Sequence, residues 1–179
     1  TVVKNQIDAK KIGKIRFMSS KRCGNSTIAK RVSGKIPFSY WLTPHEIDLI
    51  RWYSKSEIAS VFAKRNINAP LAKNYLSCNL TLKNGIDVHH LVTWSNPEVS
   101  SISNQSSFEI FGTEGIISVD DNPNKTILFE ANGKVKGLDT NYSSIFMDNE
   151  YGYFNNLISH FIECINKTSI PRVNFNDSY

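Results

Sequence analysis

The chain has 179 residues, of which 40% are hydrophobic, and its formal net charge is +5. This length and apolar content suit one domain with a buried core and exclude two ordinary domains. No run of about 18 apolar residues occurs, which excludes a membrane-spanning helix, and the polar first residues lack the apolar segment of a signal peptide. We therefore expect a cytoplasmic protein that does not bind a membrane.

The charge is unevenly distributed along the chain. Residues 1–35 carry ten Lys or Arg and one acidic residue, for a local charge of +9, whereas the remaining residues sum to −4. A basic segment can attract nucleic acid or phosphate, but no helix-turn-helix, RNP or zinc-finger pattern accompanies this one. A solvated surface, or a surface that meets an acidic partner domain, is the simpler interpretation. We predict that the chain does not bind nucleic acid.

The cysteines and histidines predict no metal site. Cys23, Cys78 and Cys164 are far apart, odd in number and without a CxxC pair, so neither a zinc site nor a disulfide framework is indicated. His89 and His90 are adjacent in a predicted strand and point to opposite faces, so they cannot chelate one metal together.

The first forty residues predict a helix, a strand and a loop. Residues 1–12 resemble the last part of a helix, which stops at Gly13. Residues 14–19 alternate between polar and apolar types, as a strand does. Residues 20–40, which include Gly34 and Pro37, are predicted to form a loop.

A second helix is predicted to begin at Thr43. Thr43 would be the N-cap, Pro44 the first helical residue and Glu46 the acidic residue three positions after the cap. Ile47 and Ile50, with Leu49 and Trp52 as further candidates, would form its buried side.

The remainder of the chain predicts strands and a closing helix. Asn84-Gly85 between two alternating runs is a strong hairpin signal, and a second hairpin is predicted around Gly112-Thr113-Glu114. Apolar residues from Phe154 to Ile165 repeat at helical spacing, with Pro171 beyond them. Consecutive strands with few helices between them indicate a largely antiparallel sheet covered on one face by helices, an α+β fold. The predicted strands are 58–65, 75–82, 86–94, 107–111, 115–119 and 126–130.

Several segments resemble one protein family. The run His45-Glu46-Ile47-Asp48-Leu49-Ile50-Arg51-Trp52 resembles the His-x-Ile-Asp-Leu-x-Arg-Trp segment in the C-terminal domain of the glucose–fructose oxidoreductase, inositol dehydrogenase and rhizopine-catabolism (Gfo/Idh/MocA) family. The order and spacing of further segments agree with this resemblance over nearly the whole chain. These segments are 12–15, 58–63, 94–97, 108–117 and the closing helix with Pro171.

The resemblance implies a domain organisation. It implies that residues 1–179 form a single substrate-binding and dimerisation domain with an open-faced sheet, as in dihydrodipicolinate-reductase-like C-terminal domains. Family members also have an N-terminal Rossmann domain with a glycine fingerprint and a catalytic lysine in a Glu-Lys-Pro segment. This sequence contains neither motif. NAD or NADP would therefore be bound mainly by the other domain, and the isolated chain is expected to be inactive.

The resemblance also implies a catalytic residue. His45 would lie at the start of its helix in the cleft between the domains and accept or orient the substrate hydroxyl proton. A helix N-terminus would favour the neutral imidazole. Asp48, one turn later, would lie on the same side, where it would contact either the substrate or the backbone and a neighbouring cation.

Trp41 departs from the family pattern. Family members that oxidise polyols often have Asp at this position, four residues before the histidine. Trp41 could stack on a sugar ring or the nicotinamide, or be part of the core. Lys21 and Arg22, after the first strand, are predicted to contact a carboxylate or phosphate of the substrate, with solvated loop charges as the alternative.

Two functions and one assembly follow as expectations. The first function is oxidation of a sugar, polyol or related hydroxy compound. The alternative is a non-catalytic, ligand-sensing or regulatory member of the same family, which the Trp41 departure leaves open. An uncovered sheet face with apolar residues predicts a homodimer or a dimer of dimers. The residues proposed for that face are Ile86, Val88, Val92 and Trp94, or their alternates.

Overall fold

The computed structural model describes residues 2–32, 35–36, 38–66, 74–96, 104–120, 125–130, 132–138, 144–146, 149–151 and 153–173. Gly34, Pro37 and Pro97, which figure in the predictions above, lie outside these ranges. The elements, in chain order, are α1 (Val2–Asp8), β1 (Ile15–Asn25), α2 (Ser26–Val32), α3 (Phe38–Ser54), β2 (Ile58–Arg65), β3 (Tyr75–Leu82), β4 (Asp87–Asn96), β5 (Asn104–Gly112), β6 (Gly115–Asp120), β7 (Lys125–Glu130), β8 (Val135–Leu138), β9 (Ser144–Phe146), β10 (Asn149–Tyr151) and α4 (Tyr153–Ile165).

In the described part of the chain, eight strands form one mixed sheet in the order β2-β3-β4-β1-β5-β6-β7-β8. Only the β1–β4 pair in this sheet is parallel, and the other neighbours are antiparallel. The predicted α+β fold with a largely antiparallel sheet is therefore confirmed. The Asn84-Gly85 hairpin is also confirmed, with Gly85 at a φ of 83° that favours glycine.

Helices α1, α2 and α3 cover one face of the sheet. Ile50 and Tyr53 of α3 share a core cluster with Met18, Val88 and Ile110 from three central strands. A second cluster packs α2 and the start of α3 against Val92 and Trp94 of β4; its buried members are Ala29, Val32, Leu42, Val92 and Trp94. The structure describes no helix that combines the length and apolar character needed to cross a bilayer.

The face that the described helices leave uncovered carries the alternate residues of the same strands. Ile86, Val88, Val92 and Trp94, the first set predicted for it, are at most 8% exposed and belong to the covered face, so that assignment is wrong. Their alternates, such as His89 and Leu91, occupy the open face instead. Strand β1 places Phe17, Ser19 and Lys21 beside them, by its register with β4. The pattern identified the strand, but not which of its two faces the helices cover.

Strand β1 and helix α2 replace most of the loop predicted for residues 20–40. Strand β1 continues to Asn25 because it lies between β4 and β5 and is paired on both sides. The end of this strand requires glycine at position 24, since a Cβ on Gly24 would overlap the ring of Trp94. The predicted loop is therefore wrong over this segment, where strand pairing outweighs the weak local pattern.

Helix α3 begins at Phe38, five residues before the predicted cap. Thr43 and Pro44 lie inside it, and the buried Thr43 hydroxyl has no hydrogen-bond partner among the described residues, so it does not cap the helix there. The residues before Thr43 are helical because Leu42 is buried in the second core cluster. Tertiary packing thus outweighs a local capping signature.

Helix α4 agrees with its predicted position but differs from α3 in packing. Five of its described side chains are 43–62% exposed, namely Leu157, Ile158, Phe161, Ile162 and Ile165.

Candidate functional site

Three of the predicted site residues lie on one side of α3. Trp41, His45 and Asp48 are spaced by four and three residues, which places them in a stripe along the helix. His45 is exposed, Asp48 is half-buried and Trp41 is 40% exposed. Trp41 is therefore not a core residue. We call these three residues the α3 stripe.

Asp48 also borders a shallow cavity at the C-terminal end of α3. The cavity has a volume of about 290 Å³, and Asp48 lies at its edge beside Arg51 and Trp52. Arg51 is held by Glu57, whose two carboxylate oxygens each accept a hydrogen bond of 2.9 Å, and this pairing lowers the pKa of Glu57. One wall of the cavity is therefore formed by the Arg51–Glu57 ion pair. Further lining residues are Lys55, Ser56, Arg172 and Val173.

The position of His45 differs from the prediction. It is the eighth residue of α3, two turns from the N-terminus at Phe38. The helix dipole acts within the first turn, so the predicted effect of the helix N-terminus on His45 does not apply. The α3 stripe does not depend on where the helix begins, because it follows from the spacing of the three residues within the helix.

Beneath the α3 stripe lies a buried ion pair that the sequence analysis missed. Arg22 Nη1 donates a hydrogen bond of 2.7 Å to Glu46 Oε1. The Glu46 side chain is fully buried and that of Arg22 is 23% exposed. The signal for this pair in the sequence is the carboxylate of Glu46 among the inward-facing apolar positions of the helix. The local capping pattern assigns Glu46 to the helix cap instead.

Lys21 and Arg22 lie on opposite faces of β1. Arg22 is on the face covered by α3, whereas Lys21 is exposed on the open face, where its register partners are Leu91 and Ser107. Strand alternation separates the two cations, so they cannot contact the same substrate group. Both stay predictions as substrate contacts.

A second buried polar pair lies in the layer below α3. Ser20 Oγ and His90 Nδ1 are 2.7 Å apart, and both side chains are buried. Burial lowers the pKa of His90 to about 4, with a smaller contribution from the neighbouring His89. His90 is therefore neutral near pH 7 and serves packing. His89 lies on the opposite face beside Ser77, at 3.2 Å, as strand alternation predicted.

The described cysteines and acidic residues form no metal site. Among the described residues, Cys23, Cys78 and Cys164 form no disulfide, and burial raises the pKa of Cys23 and Cys78. Within the described ranges, no group of three or more His, Cys, Asp or Glu side chains could hold a metal ion.

The described residues also do not fit a dinucleotide cradle. Gly112 and Gly115 belong to the β5–β6 hairpin and not to a strand–helix junction. Their hairpin packs against the segment before β1, because the Glu114 N–H donates to the Ile12 carbonyl at 3.0 Å. A Cβ on Gly112 would overlap that same carbonyl. The Gly-Thr-x-Gly motif therefore serves backbone packing.

Comparison with known proteins agrees with this architecture. Residues 1–118 match the model of the GFO/IDH/MocA C-terminal domain, so the chain belongs to this family. No curated protein matches the sequence.

Solved structures share the fold at low identity. Levoglucosan dehydrogenase in complex with NADH and levoglucosan is 18% identical, with a TM-score of 0.73, and the match covers 99% of this chain and 56% of that one. UDP-N-acetylglucosamine 3-dehydrogenase from Acidithiobacillus ferrooxidans is 16% identical, with a TM-score of 0.72, and the match covers 99% of this chain and 53% of that one. Aldose–aldose oxidoreductase from Caulobacter crescentus, complexed with glycerol, is 11% identical, with a TM-score of 0.73 and coverage of 99% and 53%. The chain thus spans about half the length of these structures.

Proposed function

We propose that residues 1–179 form the substrate-facing domain of an oxidoreductase that uses NAD or NADP to oxidise a sugar, a polyol or a related hydroxy compound. Family membership supports the reaction class, and the sugar dehydrogenases among the structural neighbours support the substrate class. The observation that carries the proposal is the α3 stripe, in which an aromatic, an imidazole and a carboxylate lie along one accessible side of a helix.

The nicotinamide cofactor belongs, in this proposal, to a second, nucleotide-binding domain. The described residues of this chain offer no cradle for it. What this chain supplies is the handling of the substrate hydroxyl and its proton. The half-length match to the solved dehydrogenases is consistent with such a division.

His45 is the proposed acid–base residue. Oxidation of an alcohol carbon releases the hydroxyl proton, and an imidazole is suited to accept it near neutral pH. Its exposure on α3 leaves the ring open to a substrate from outside this domain. Trp41, one turn earlier, offers a flat apolar surface for a sugar ring. Asp48, one turn later, offers a carboxylate that accepts hydrogen bonds from sugar hydroxyls.

Lys21 and Arg22 are the remaining proposed substrate contacts, and they differ in where they could meet a substrate. Because they lie on opposite faces of β1, at most one can share a site with His45. Arg22 is the cation on the α3 side. Lys21, on the open face, could contact a substrate only at a separate place.

The open sheet face is the proposed dimer interface. Phe62 is 73% exposed at the edge of the sheet, and Phe17 packs against Phe111 with ring centroids 5.7 Å apart. Exposed aromatic side chains on a broad sheet favour association. We propose a homodimer or a dimer of dimers, and sedimentation equilibrium measures which of them forms.

The alternative function is a non-catalytic, ligand-sensing or regulatory protein. Trp41 favours it, because this position often carries Asp in polyol-oxidising relatives by the resemblance above. A tryptophan cannot accept a proton, so it binds a sugar without assisting its oxidation. Turnover decides between the two functions.

The test is nicotinamide reduction by the protein in which this domain is joined to its nucleotide-binding domain, measured against a panel of sugars and polyols. His45→Ala should lower kcat by about a hundredfold or more, because it removes the general base. His160→Ala is the matched control, since His160 lies on α4 beside Cys164, and turnover should not change.

The two unfavourable outcomes have different meanings. Unchanged turnover in His45→Ala would reject the role of His45 and keep the oxidoreductase. Cofactor binding without turnover of any substrate would reject the enzyme and favour the regulatory protein.

A further inference from the structure

Glu46 is an unusual residue to bury. In the part of the chain that the structure describes, it is the only carboxylate side chain that is fully buried. A buried charge is costly unless it is paired, and an apolar pair of similar volume would often stabilise a fold as well. The Arg22–Glu46 contact is also made through one oxygen, and Glu46 Oε2 has no hydrogen-bond partner within the described ranges. Stability alone therefore explains the pair poorly.

The location of the pair suggests another role. Arg22 belongs to β1, which is paired to β4 and β5 at the centre of the sheet. Glu46 directly follows His45 in α3. Successive helical residues are separated by a fixed rotation about the axis, so holding Glu46 inward fixes the direction in which His45 points.

The backbone of this turn needs such support. Pro44 lies inside α3, where it removes a backbone hydrogen bond to the preceding turn and disfavours a regular helix. The inward apolar residues Leu42 and Ile50 hold the helix four residues to either side of Glu46. In the helical turn between these two residues, the Arg22–Glu46 ion pair joins α3 to the sheet.

We propose that Arg22 and Glu46 are a positioning pair, which holds the proline-containing turn of α3 on the sheet and thereby sets the direction of the His45 imidazole. The catalytic consequence rests on the function proposed above. The positioning itself does not, and it is measurable in this chain without turnover.

The experiment compares three variants. Glu46→Gln removes the charge and keeps Arg22. The double variant R22M/E46M replaces the pair by two apolar side chains, which should restore stability toward that of the original protein. Ser20→Ala is the matched control, because Ser20 is buried on the same face of β1, two residues from Arg22, and its hydroxyl pairs with His90 and not with α3.

Four quantities are measured for each variant. The His45 imidazole resonances are recorded by NMR in the labelled chain, the denaturant midpoint reports stability, and kcat and KM are measured in the two-domain protein. We expect Glu46→Gln and R22M/E46M to shift or broaden the His45 resonances. We also expect Glu46→Gln to lower kcat by about tenfold to a hundredfold with little change in KM, since displacement of a catalytic group affects the chemical step. Ser20→Ala should lower the midpoint and leave the His45 resonances and kcat unchanged.

Two results would overturn the proposal. One is an R22M/E46M variant that recovers stability, the original His45 resonances and the original kcat together, because the pair would then be structural. The other is a set of His45 resonances that Glu46→Gln does not alter. If the original protein has no turnover, altered His45 resonances in Glu46→Gln but not in Ser20→Ala still support the positioning pair and reject only the proposed reaction.

Discussion

Helices α3 and α4 differ in how they pack against the rest of the protein. Both have apolar residues at helical spacing, but Ile50 of α3 is fully buried on the sheet, whereas Ile162 of α4 is 50% exposed. The family match also ends at residue 118, after α3 and before α4. The difference teaches that periodicity predicts a helix and its apolar side, but not what covers that side.

The two helices also differ in how well they can hold functional side chains in place. The inward side of α3 is held by the sheet, so its outward side can present Trp41, His45 and Asp48 in fixed positions. Rigid elements suit functional side chains for this reason. Helix α4 lacks an equivalent anchor in the described residues, and its polar residues accordingly suggest no site.

The largest expected effect tests this comparison directly. Ile50→Ala should lower the free energy of unfolding by about 2–5 kcal/mol, because it leaves a cavity in the core. Ile162→Ala, the same change on α4, should cost less than about 1 kcal/mol, because half of its side chain is exposed. Urea denaturation of the chain measures both values. Equal costs would show that α4 is covered in solution and would break the comparison.

Acid provides a second test, because the layer beneath α3 contains His90. Its pKa is lowered to about 4 in the folded protein, whereas an unfolded histidine titrates near 6.5. The unfolded chain therefore binds the proton first as the pH falls. Stability is complete above about pH 6.5 and decreases between pH 6.5 and pH 4, by about 3 kcal/mol in total.

A variant pair isolates this contribution. His90→Gln should reduce the loss of stability between pH 6.5 and pH 4, measured by urea denaturation at each pH. His89→Gln is the control on the opposite face of the same strand, and it should retain most of the loss, because burial is the main cause of the lowered His90 pKa and His89 contributes less. Equal pH dependence in the His90→Gln variant and the original chain would contradict the assignment.

The general fold could be predicted because its signals are local. The Asn84-Gly85 turn, the alternation in the strands and the helical spacing of α4 each depend on neighbouring residues. The extension of β1 to Asn25 could not be predicted, because it depends on pairing with β4 and β5, which are distant in sequence. The same holds for the sheet face that α3 covers.

The candidate site was predictable to the extent that it lies on one helix. Trp41, His45 and Asp48 come together through helical spacing alone. Glu46 was missed because its partner, Arg22, lies 24 residues earlier and was predicted to be in a loop. Lys21 and Arg22 were grouped as neighbours, but a strand directs adjacent side chains to opposite faces.

The smallest expected effect decides where α3 begins, on which the position of His45 in the helix depends. If Thr43 were the N-cap, Thr43→Ala would cost about 1 kcal/mol. In the structure its hydroxyl is buried with no partner in the described part of the chain, inside a helix that starts at Phe38. Removing an unpaired buried hydroxyl is nearly neutral, and alanine favours the helix more than threonine does. We expect a change within about 0.5 kcal/mol by urea denaturation, or a slight gain in stability. A loss of about 1 kcal/mol or more would instead place Thr43 at the cap and His45 in the first turn, where the helix dipole would act on its imidazole.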